Sequence, residues 1–207
     1  MSLGFTTEQT KIGEMIEHVT IQRNRELIFF AAAGNHGKSG KEDFPSNHHR
    51  VFSVHATDHL GNISKFDTGL THARPDYLAT LGESIPGPPS LPGPYSGTSY
   101  STPIAAAIAG LVIDAARYSI AAQAPSATTD SALVTNGEGL GVYDDLRTMA
   151  GMKKVLLLEE FTPNVHNGSR TVAPLRFCAC EEPKRREILD YAVSNSTACA
   201  LGLDQYD

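Results

Sequence analysis

The feature that most constrains the fold is a continuous apolar run, Leu27 to Ala33, which ends abruptly at Gly34-Asn35. A run of this length is typical of a strand that is buried on both faces of a sheet. Upstream, residues 6–25 place apolar side chains at helical spacing between polar ones, which predicts an amphipathic helix. A helix followed by a doubly buried strand indicates an α/β protein with a parallel sheet.

The first helix has a candidate start and a candidate core face. Thr6 and Gln9 have the spacing of a capping box. Its predicted core face comprises Ile12, Met15, Ile16 and Val19.

Further extended segments follow. Residues 51–56 alternate as a strand does, and residues 58–62 form a predicted turn. Short strands are predicted around Phe66 and over residues 77–81. Residues 85–94 contain five prolines and two glycines, which predicts a rigid, extended surface loop.

The segment Gly97-Thr98-Ser99-Tyr100-Ser101-Thr102-Pro103 leads into a second helix, residues 104–118. Proline suits the first turn of a helix, because its missing N–H is no loss there. Most other residues of this helix are alanine or glycine, so we expect neighbours on more than one side. Its predicted core stripe comprises Ile104, Ile108, Leu111, Val112 and Ala115.

The amino-acid composition changes after residue 118. Residues 122–141 are rich in Ala, Ser, Thr and Gly and resemble a linker. Helices are predicted over residues 144–158 and 183–193, and the basic triplet in the latter is flanked by acidic residues. The sequence thus predicts one domain over 1–122 and a linker with a mostly helical extension over 123–207.

Composition excludes several classes. The chain has 17 Lys and Arg residues and 23 Asp and Glu residues, which gives a net charge of −6. No nucleic-acid partner is therefore expected. No apolar run approaches the roughly 18 residues of a bilayer span, so no membrane segment is expected. No leader is visible, and Cys178, Cys180 and Cys199 lack the spacing of a disulfide framework or a zinc site. We therefore expect an intracellular protein, of open oligomeric state.

Two residues have a setting that suits chemistry. Asn35 follows a buried strand, and ligands of parallel sheets bind beyond the carboxyl ends of strands. Ser99 precedes a buried helix, whose first N–H groups are unpaired. A serine there can attack a carbonyl while N–H groups receive the oxyanion. Alternatively, Ser99 caps the helix and Asn35 is a turn residue.

Residues 1 to about 118 resemble the C-terminal half of a subtilisin-like serine protease domain. The family's Gly-Thr-Ser-x-Ala/Ser-Thr/Ser-Pro element is matched by residues 97–103, and its Ala-Ala-Gly-Asn element by residues 32–35. Residues 1–4 resemble the strand that forms one wall of the substrate groove. Residues 44–46, Phe-Pro-Ser, and the strand from Val51 resemble a further turn and strand of the family.

The resemblance implies a three-layer α/β sandwich with a mainly parallel sheet, and a serine endopeptidase acting by acyl transfer on a peptide or protein substrate. It implies that Ser99 is the nucleophile, and that its backbone N–H and the Asn35 side chain hold the oxyanion. It implies no cofactor, and no acidic oxygen cluster suggests a metal. The implied substrate-binding residues form two walls of the groove: Ser2, Leu3 and Gly4 in one, and Ala32, Ala33 and Gly34 in the other.

The catalytic triad of the family is the main departure. It runs Asp, His, Ser along the chain, and its first two elements precede the Ser-Leu-Gly strand. We therefore expect a fold truncated at the N-terminus that lacks the triad Asp and His, which leaves Ser99 a weak nucleophile. The alternative is a catalytically dead fragment that binds peptides or persists as a relic. We also expect exposed strand edges, and hence a poorly soluble or partly molten product.

No histidine is expected to replace the missing base. His36 follows Asn35 and could lie near the groove, but a surface turn is favoured. His48-His49 lies in a polar loop, where a metal site is a weak alternative. Three further departures are Phe5, where glycine is common and which could narrow the pocket entrance, Lys65-Phe66-Asp67, where Phe-Ser-Ser is common, and Thr80-Leu81-Gly82, where Ala-Pro-Gly is common.

Overall fold

The computed structural model describes residues 1–23, 27–37, 40–68, 78–123, 144–156, 164–166 and 169–171. The described helices are α1 (Thr10–Gln22), α2 (Thr98–Gln123) and α3 (Met149–Leu156). The described strands are β1 (Phe29–Ala32), β2 (Val51–Thr57), β3 (Leu78–Leu81), β4 (Ile85–Pro86), β5 (Pro94–Tyr95), β6 (Asn164–His166) and β7 (Ser169–Thr171).

The main sheet has the order β1-β2-β3-β7-β6, in which the first four strands run parallel and β6 is antiparallel to β7. In register, Phe29 of β1 pairs with Val51 of β2, and Val54 of β2 pairs with Leu78 of β3. All seven residues of β2 are buried, because it lies between two strands and beneath helices. Its alternating sequence therefore does not place its polar residues in solvent.

Helices cover both faces of this sheet. Side chains alternate along a strand, so Phe30 and Ala31 of β1 point to opposite faces. Phe30 packs in one buried cluster with Val112 of α2, whereas Ala31 packs in another with Ile16 of α1. The layers are therefore helix, sheet and helix, and the predicted α/β class is confirmed.

The start of α2 differs from the prediction. The helix begins at Thr98, so Pro103 is its sixth residue and does not occupy the first turn. Proline at this position cannot donate a hydrogen bond to the carbonyl of Ser99. Contacts of Thr98 with the loop after β1, described below, fix the earlier start.

The buried face of α2 also differs from the predicted stripe. Leu111 is 47% exposed, and a side chain at Gly110 would meet nothing within 4 Å, so the expectation of neighbours on more than one side is wrong. Small residues face the sheet because the helix lies close to the strands. Over residues 98–117, where burial is described, the buried residues of α2 are Thr98, Ser101, Thr102, Ala105, Ile108, Ala109, Val112 and Ala116.

Length and composition alone would let one described segment, Thr98–Arg117, cross a membrane. The sequence-based expectation missed this window because polar residues interrupt its apolar run. The same segment packs against β1, β2 and β3 and supplies the largest buried cluster. Its apolar character is therefore explained by the core of the domain.

The start of α1 was also predicted incorrectly. The residue before the helix, Gln9, makes no capping hydrogen bond through its side chain, which turns back to the preceding loop, so the Thr6 and Gln9 capping box does not form. Ile16 is buried as expected, but Met15 is 59% exposed. The helix is rotated so that Ile16 packs against Ala31 and Val51 of the sheet, while Gly13 faces Phe44 and His48 of the following loop.

Two connecting segments depart from the predictions. Phe66 lies in a turn and not in the predicted strand. The Asp67 N–H donates to the Ser64 carbonyl at 3.1 Å and closes this turn. The proline-rich loop folds back as a two-stranded ribbon of β4 and β5, in which Ile85 pairs with Tyr95.

The turn over residues 58–62 is confirmed. Asp58 Oδ1 accepts hydrogen bonds from the backbone N–H groups of Leu60, at 2.8 Å, and Asn62, at 2.9 Å. Although partial burial acts in the opposite direction, the hydrogen bonds from Asn62 and Leu60 lower the pKa of Asp58. The ionised carboxylate therefore stabilises this turn.

The predicted helix over 144–158 is present as a helical turn at 144–146 followed by α3. Leu146, Met152, Val155 and Leu156 belong to the same buried cluster as α2. The predicted helix over 183–193, most of the linker and the three cysteines lie outside the described residues. The domain division at 122 stays a prediction.

Candidate active site

Ser99 lies in the first turn of α2, where the preceding loop turns sharply. Gly97 has a φ of +151°, in the region that favours glycine, and its N–H donates to the Gly82 carbonyl at 2.8 Å. Thr98 is fully buried, whereas Ser99 is only half-buried. The Ser99 Oγ donates a hydrogen bond to the Ser2 carbonyl at 2.8 Å. The loop thus presents the hydroxyl to the surface above the buried start of the helix.

Asn35 is bound directly to the start of the same helix. Its Oδ1 accepts from the Thr98 N–H at 2.9 Å and from Thr98 Oγ1 at 3.1 Å. The Gly34 N–H donates in turn to Thr98 Oγ1 at 3.3 Å. A backbone N–H can only donate, so the oxygen of the amide faces Thr98 and the Nδ2 is left to face elsewhere.

The first predicted wall, Ala32 to Gly34, continues directly from β1. The Ala33 N–H donates to the Val54 carbonyl at 3.0 Å, which holds this segment to β2. Gly34 has a φ of +121°, and a Cβ there would lie 2.8 Å from Thr68 Oγ1. The chain therefore turns at a position where only glycine fits, and it delivers Asn35 to the helix start.

The second predicted wall, Ser2 to Gly4, lies beside the first. The Met1 carbonyl accepts from the Ala32 N–H at 3.0 Å, and the Met1 ammonium donates to the Phe30 carbonyl. Burial lowers the pKa of this ammonium group. Leu3 and Gly4 are exposed, and among the described residues their backbone groups make no hydrogen bond. This wall therefore offers an extended, unpaired backbone edge.

The structure thus brings together all the predicted site residues: Ser2, Leu3 and Gly4 beside Ala32, Ala33 and Gly34, with Asn35 and Ser99 at one end. Their roles in catalysis and substrate binding stay predictions. Within the part of the chain that is described, the Ser99 N–H and the Asn35 Nδ2 donate no hydrogen bond. A helix start and an amide with free N–H groups can stabilise a developing oxyanion.

A general base for Ser99 is missing from the described ranges. No hydrogen bond joins Ser99 Oγ to a histidine or carboxylate of those ranges. The nearest sequence candidate, His36, instead donates from Nε2 to the Asp43 carboxylate at 3.0 Å. His36 is exposed and lies in a bend, as the favoured surface turn predicts, and its ring is engaged with an acid and not with the serine.

A buried polar cluster behind the groove was not predicted. His55 in β2 lies with its Nδ1 2.6 Å from Asp67 Oδ1, and the Ala56 N–H donates to Asp67 Oδ2. The carboxylate of Glu42 lies 3.8 Å from His55 Nε2. The one sequence signal was Asp67, which stands where the resemblance expects serine. Thr68 follows it and packs against Gly34, so the cluster supports the first wall.

The weak metal alternative at His48-His49 gains one carboxylate, because Glu17 Oε1 lies 2.9 Å from His49 Nε2 and 3.7 Å from His48 Nε2. However, Glu17 Oε2 already accepts from Arg50 Nε at 2.5 Å. His48 Nδ1 accepts the Arg50 N–H at 3.2 Å, so a neutral His48 carries its hydrogen on Nε2. This arrangement is that of an ion-pair cluster, and it does not favour a metal ion.

The chain is similar to known proteins in sequence pattern and in structure. The model of the Subtilase family matches residues 1–153. No curated protein matches the chain. Patellamide maturation protease PatA superposes with a TM-score of 0.50 and 22% identity, covering 98% of this chain and 62% of PatA. A mutant of the PatA protease domain superposes with a TM-score of 0.55 and 18% identity, covering 93% of this chain and 56% of the mutant's chain.

Prenylagaramide maturation protease PagA gives a TM-score of 0.48 and 21% identity, covering 64% of this chain and 54% of PagA. The chain therefore spans between 54% and 62% of the length of these three structures. At such identities, the likeness to PatA shows the fold. The family model covers well over half of the chain, and the chain belongs to the subtilase family.

Proposed function

We propose that this chain carries the nucleophile and the oxyanion hole of a serine endopeptidase. Ser99 would attack the peptide carbonyl, and the Ser99 N–H and the Asn35 Nδ2 would hold the oxyanion. The observation that carries this proposal is the pair of hydrogen bonds from Thr98 to Asn35 Oδ1, at 2.9 and 3.1 Å. They fix the amide beside Thr98, the residue before Ser99, and they use its oxygen, so that its Nδ2 is left as a donor.

The substrate would lie between the two walls as an extended strand. The unpaired backbone of Leu3 and Gly4 can add a peptide strand through main-chain hydrogen bonds, which tolerates many sequences. Ser99 Oγ now donates to the Ser2 carbonyl. Attack requires this hydrogen bond to break, so that the proton can pass to a base.

We infer that the base and its orienting carboxylate come from outside the described residues. The family uses a histidine and an aspartate for these roles, and a serine without them keeps only a residual acceleration from binding and the oxyanion hole. Neither the buried pair of His55 and Asp67 nor the pair of His36 and Asp43 hydrogen-bonds Ser99.

One observation favours a second candidate function, a non-catalytic peptide-binding module. The Ser99 hydroxyl donates its hydrogen bond to a backbone carbonyl and not to a base. Such a site could bind an extended peptide along Leu3 and Gly4 without cleaving it. The two candidates share the groove and differ only in the reactivity of Ser99.

A fluorophosphonate probe without a basic group separates the two candidates. Covalent labelling of Ser99 in the purified protein, detected by intact mass and peptide mapping, is the outcome that the protease requires. The Ser99→Ala variant should lose the label. The matched variant Ser101→Ala should keep it, because Ser101 lies two residues further along α2 and is fully buried, out of reach of the probe. Absence of labelling, together with binding of an uncleaved peptide, would support the module and not the protease.

A further inference from the structure

Asp43 is an acid that the sequence did not single out, and it lies between the two walls. Its N–H donates to the Ala33 carbonyl at 2.8 Å, which ties it to the first wall. The next residue, Phe44, exchanges two backbone hydrogen bonds of 2.8 Å with Phe5, which follows the second wall. The Ser46 Oγ donates to the Asp43 carbonyl at 2.6 Å. The backbone of Asp43 is thus tied to the first wall directly and to the second wall through Phe44.

The glycines of both walls leave room for this carboxylate. A Cβ on Gly4 would lie 2.8 Å from Asp43 Oδ2, and a Cβ on Gly34 would lie 3.0 Å from the same oxygen. One carboxylate oxygen therefore lies between two positions that carry no side chain. A side chain that enters between these two glycines would meet this oxygen.

A second polar atom points to the same place. Thr68 Oγ1 lies 2.8 Å from the Cβ position of Gly34, close to Asp43. This hydroxyl is buried and has no hydrogen-bond partner among the described residues. A buried, unpaired hydroxyl is costly, so a donor from a ligand would satisfy it.

His36 covers the carboxylate from the solvent side. Its Nε2 lies 3.0 and 3.1 Å from the two oxygens of Asp43. The His36 side chain is 45% exposed, whereas that of Asp43 is 12% exposed. A largely buried carboxylate requires a hydrogen-bonding or cationic partner, and here that partner is the more exposed residue of the pair.

We propose that Asp43 makes the pocket between the walls selective for an Arg or Lys side chain at the first residue before the cleaved bond. The guanidinium or ammonium group replaces His36 on the carboxylate and donates to Thr68. A planar guanidinium has enough donors for both acceptors. This inference rests on the proposed function only for the position of the cleaved bond; the pocket itself can be tested by binding.

The test measures the affinity of synthetic peptides for the purified, full chain by calorimetry. The probes are acetyl-Ala-Ala-Pro-Arg amide and acetyl-Ala-Ala-Pro-norleucine amide. Acetyl-Ala-Arg-Pro-norleucine amide controls for attraction of any cation to a chain of charge −6. We expect the first peptide to bind at least about tenfold more tightly than either of the others, as suits a desolvated charged hydrogen bond.

Two variants make the test specific. Asp43→Asn keeps the shape and removes the charge, so the preference should fall to about twofold or less. His36→Ala removes the competing partner, so binding of the arginine peptide should strengthen while the norleucine peptide is unaffected. Equal affinities in the natural protein, no binding of any peptide, or an arginine preference that survives Asp43→Asn would overturn the proposal.

These outcomes are separable from those for catalysis. Arginine preference without fluorophosphonate labelling of Ser99 would support the pocket and reject the protease. Labelling of Ser99 without an arginine preference would support the protease and reject the selective pocket.

Discussion

Replacing Gly34 by alanine tests the local geometry that delivers Asn35 to the helix start. Gly34 has a φ of +121°, a conformation that costs a residue with a side chain about 1–3 kcal/mol. The new Cβ would also lie 2.8 Å from Thr68 Oγ1 and 3.0 Å from Asp43 Oδ2. Both neighbours are buried, so relieving these contacts adds about 1 kcal/mol or more. We expect a loss of about 2–4 kcal/mol, a large share of the roughly 5–15 kcal/mol typical of a domain.

Gly110→Ala is the matched control. Gly110 lies within α2, and a Cβ there meets nothing within 4 Å. Alanine should therefore stabilise the protein by about 0.5–1 kcal/mol through its helix propensity. Urea unfolding followed by circular dichroism gives both values, provided that the slope of the transition is unchanged. If Gly34→Ala proved neutral, or as stabilising as the control, the tight packing between Asp43, Thr68 and the first wall could not be as described.

Other substitutions test the site, the core and the pH dependence. Asn35→Asp keeps the Oδ1 acceptor for Thr98 but removes the Nδ2 donor. The rate of labelling or hydrolysis at Ser99 should therefore fall about 10²–10³-fold, with little change in melting temperature. An unchanged rate would show that Asn35 does not belong to the oxyanion hole. Val112→Ala should cost about 2 kcal/mol and Leu111→Ala less than about 0.5 kcal/mol in urea titrations. A Leu111→Ala cost as large as that of Val112→Ala would return Leu111 to the predicted core stripe. Hydrogen bonds from Asn62 and Leu60 lower the pKa of Asp58, so the ionised side chain stabilises the turn at neutral pH and loses this contribution as the pH falls below the ordinary aspartate range. Asp58→Ala should therefore reduce the loss of unfolding free energy at acidic pH, by about 1 kcal/mol at most. An unchanged dependence of stability on acidic pH would contradict this role of Asp58.

The sequence predicted the elements whose pattern is local and strongly apolar. The run that ends at Gly34 predicted β1 and its burial, because only a strand covered on both faces needs so many consecutive apolar residues. The neighbourhood of Asn35 and Ser99 followed from a rule about parallel sheets, in which the carboxyl ends of strands and the starts of helices share one edge. Pattern was sufficient there because the sheet itself brings the two segments together.

Features that depend on contacts between distant segments were not predicted. Pro103 indicated a helix start by a local rule, but the hydrogen bonds of Thr98 to Asn35 begin the helix five residues earlier. Asp43 looked like one polar loop residue among many, since nothing in its neighbours shows that two glycines face it. Likewise, His55 lies within a strand that reads as amphipathic, and only the fold shows that Asp67 reaches it.

The candidate site therefore depends on the fold through one specific link. Asn35 and Thr98 are 63 residues apart, and their hydrogen bonds connect the exit of β1 to the start of α2. Any change that shifts α2 along the sheet moves the Ser99 hydroxyl and breaks the contact that orients the Asn35 amide. Stability and reactivity should consequently fall together for variants of Thr98, whereas variants of the exposed face of α2, such as Leu111, should leave both unchanged. This pairing distinguishes a preorganised site from a serine that merely begins a helix.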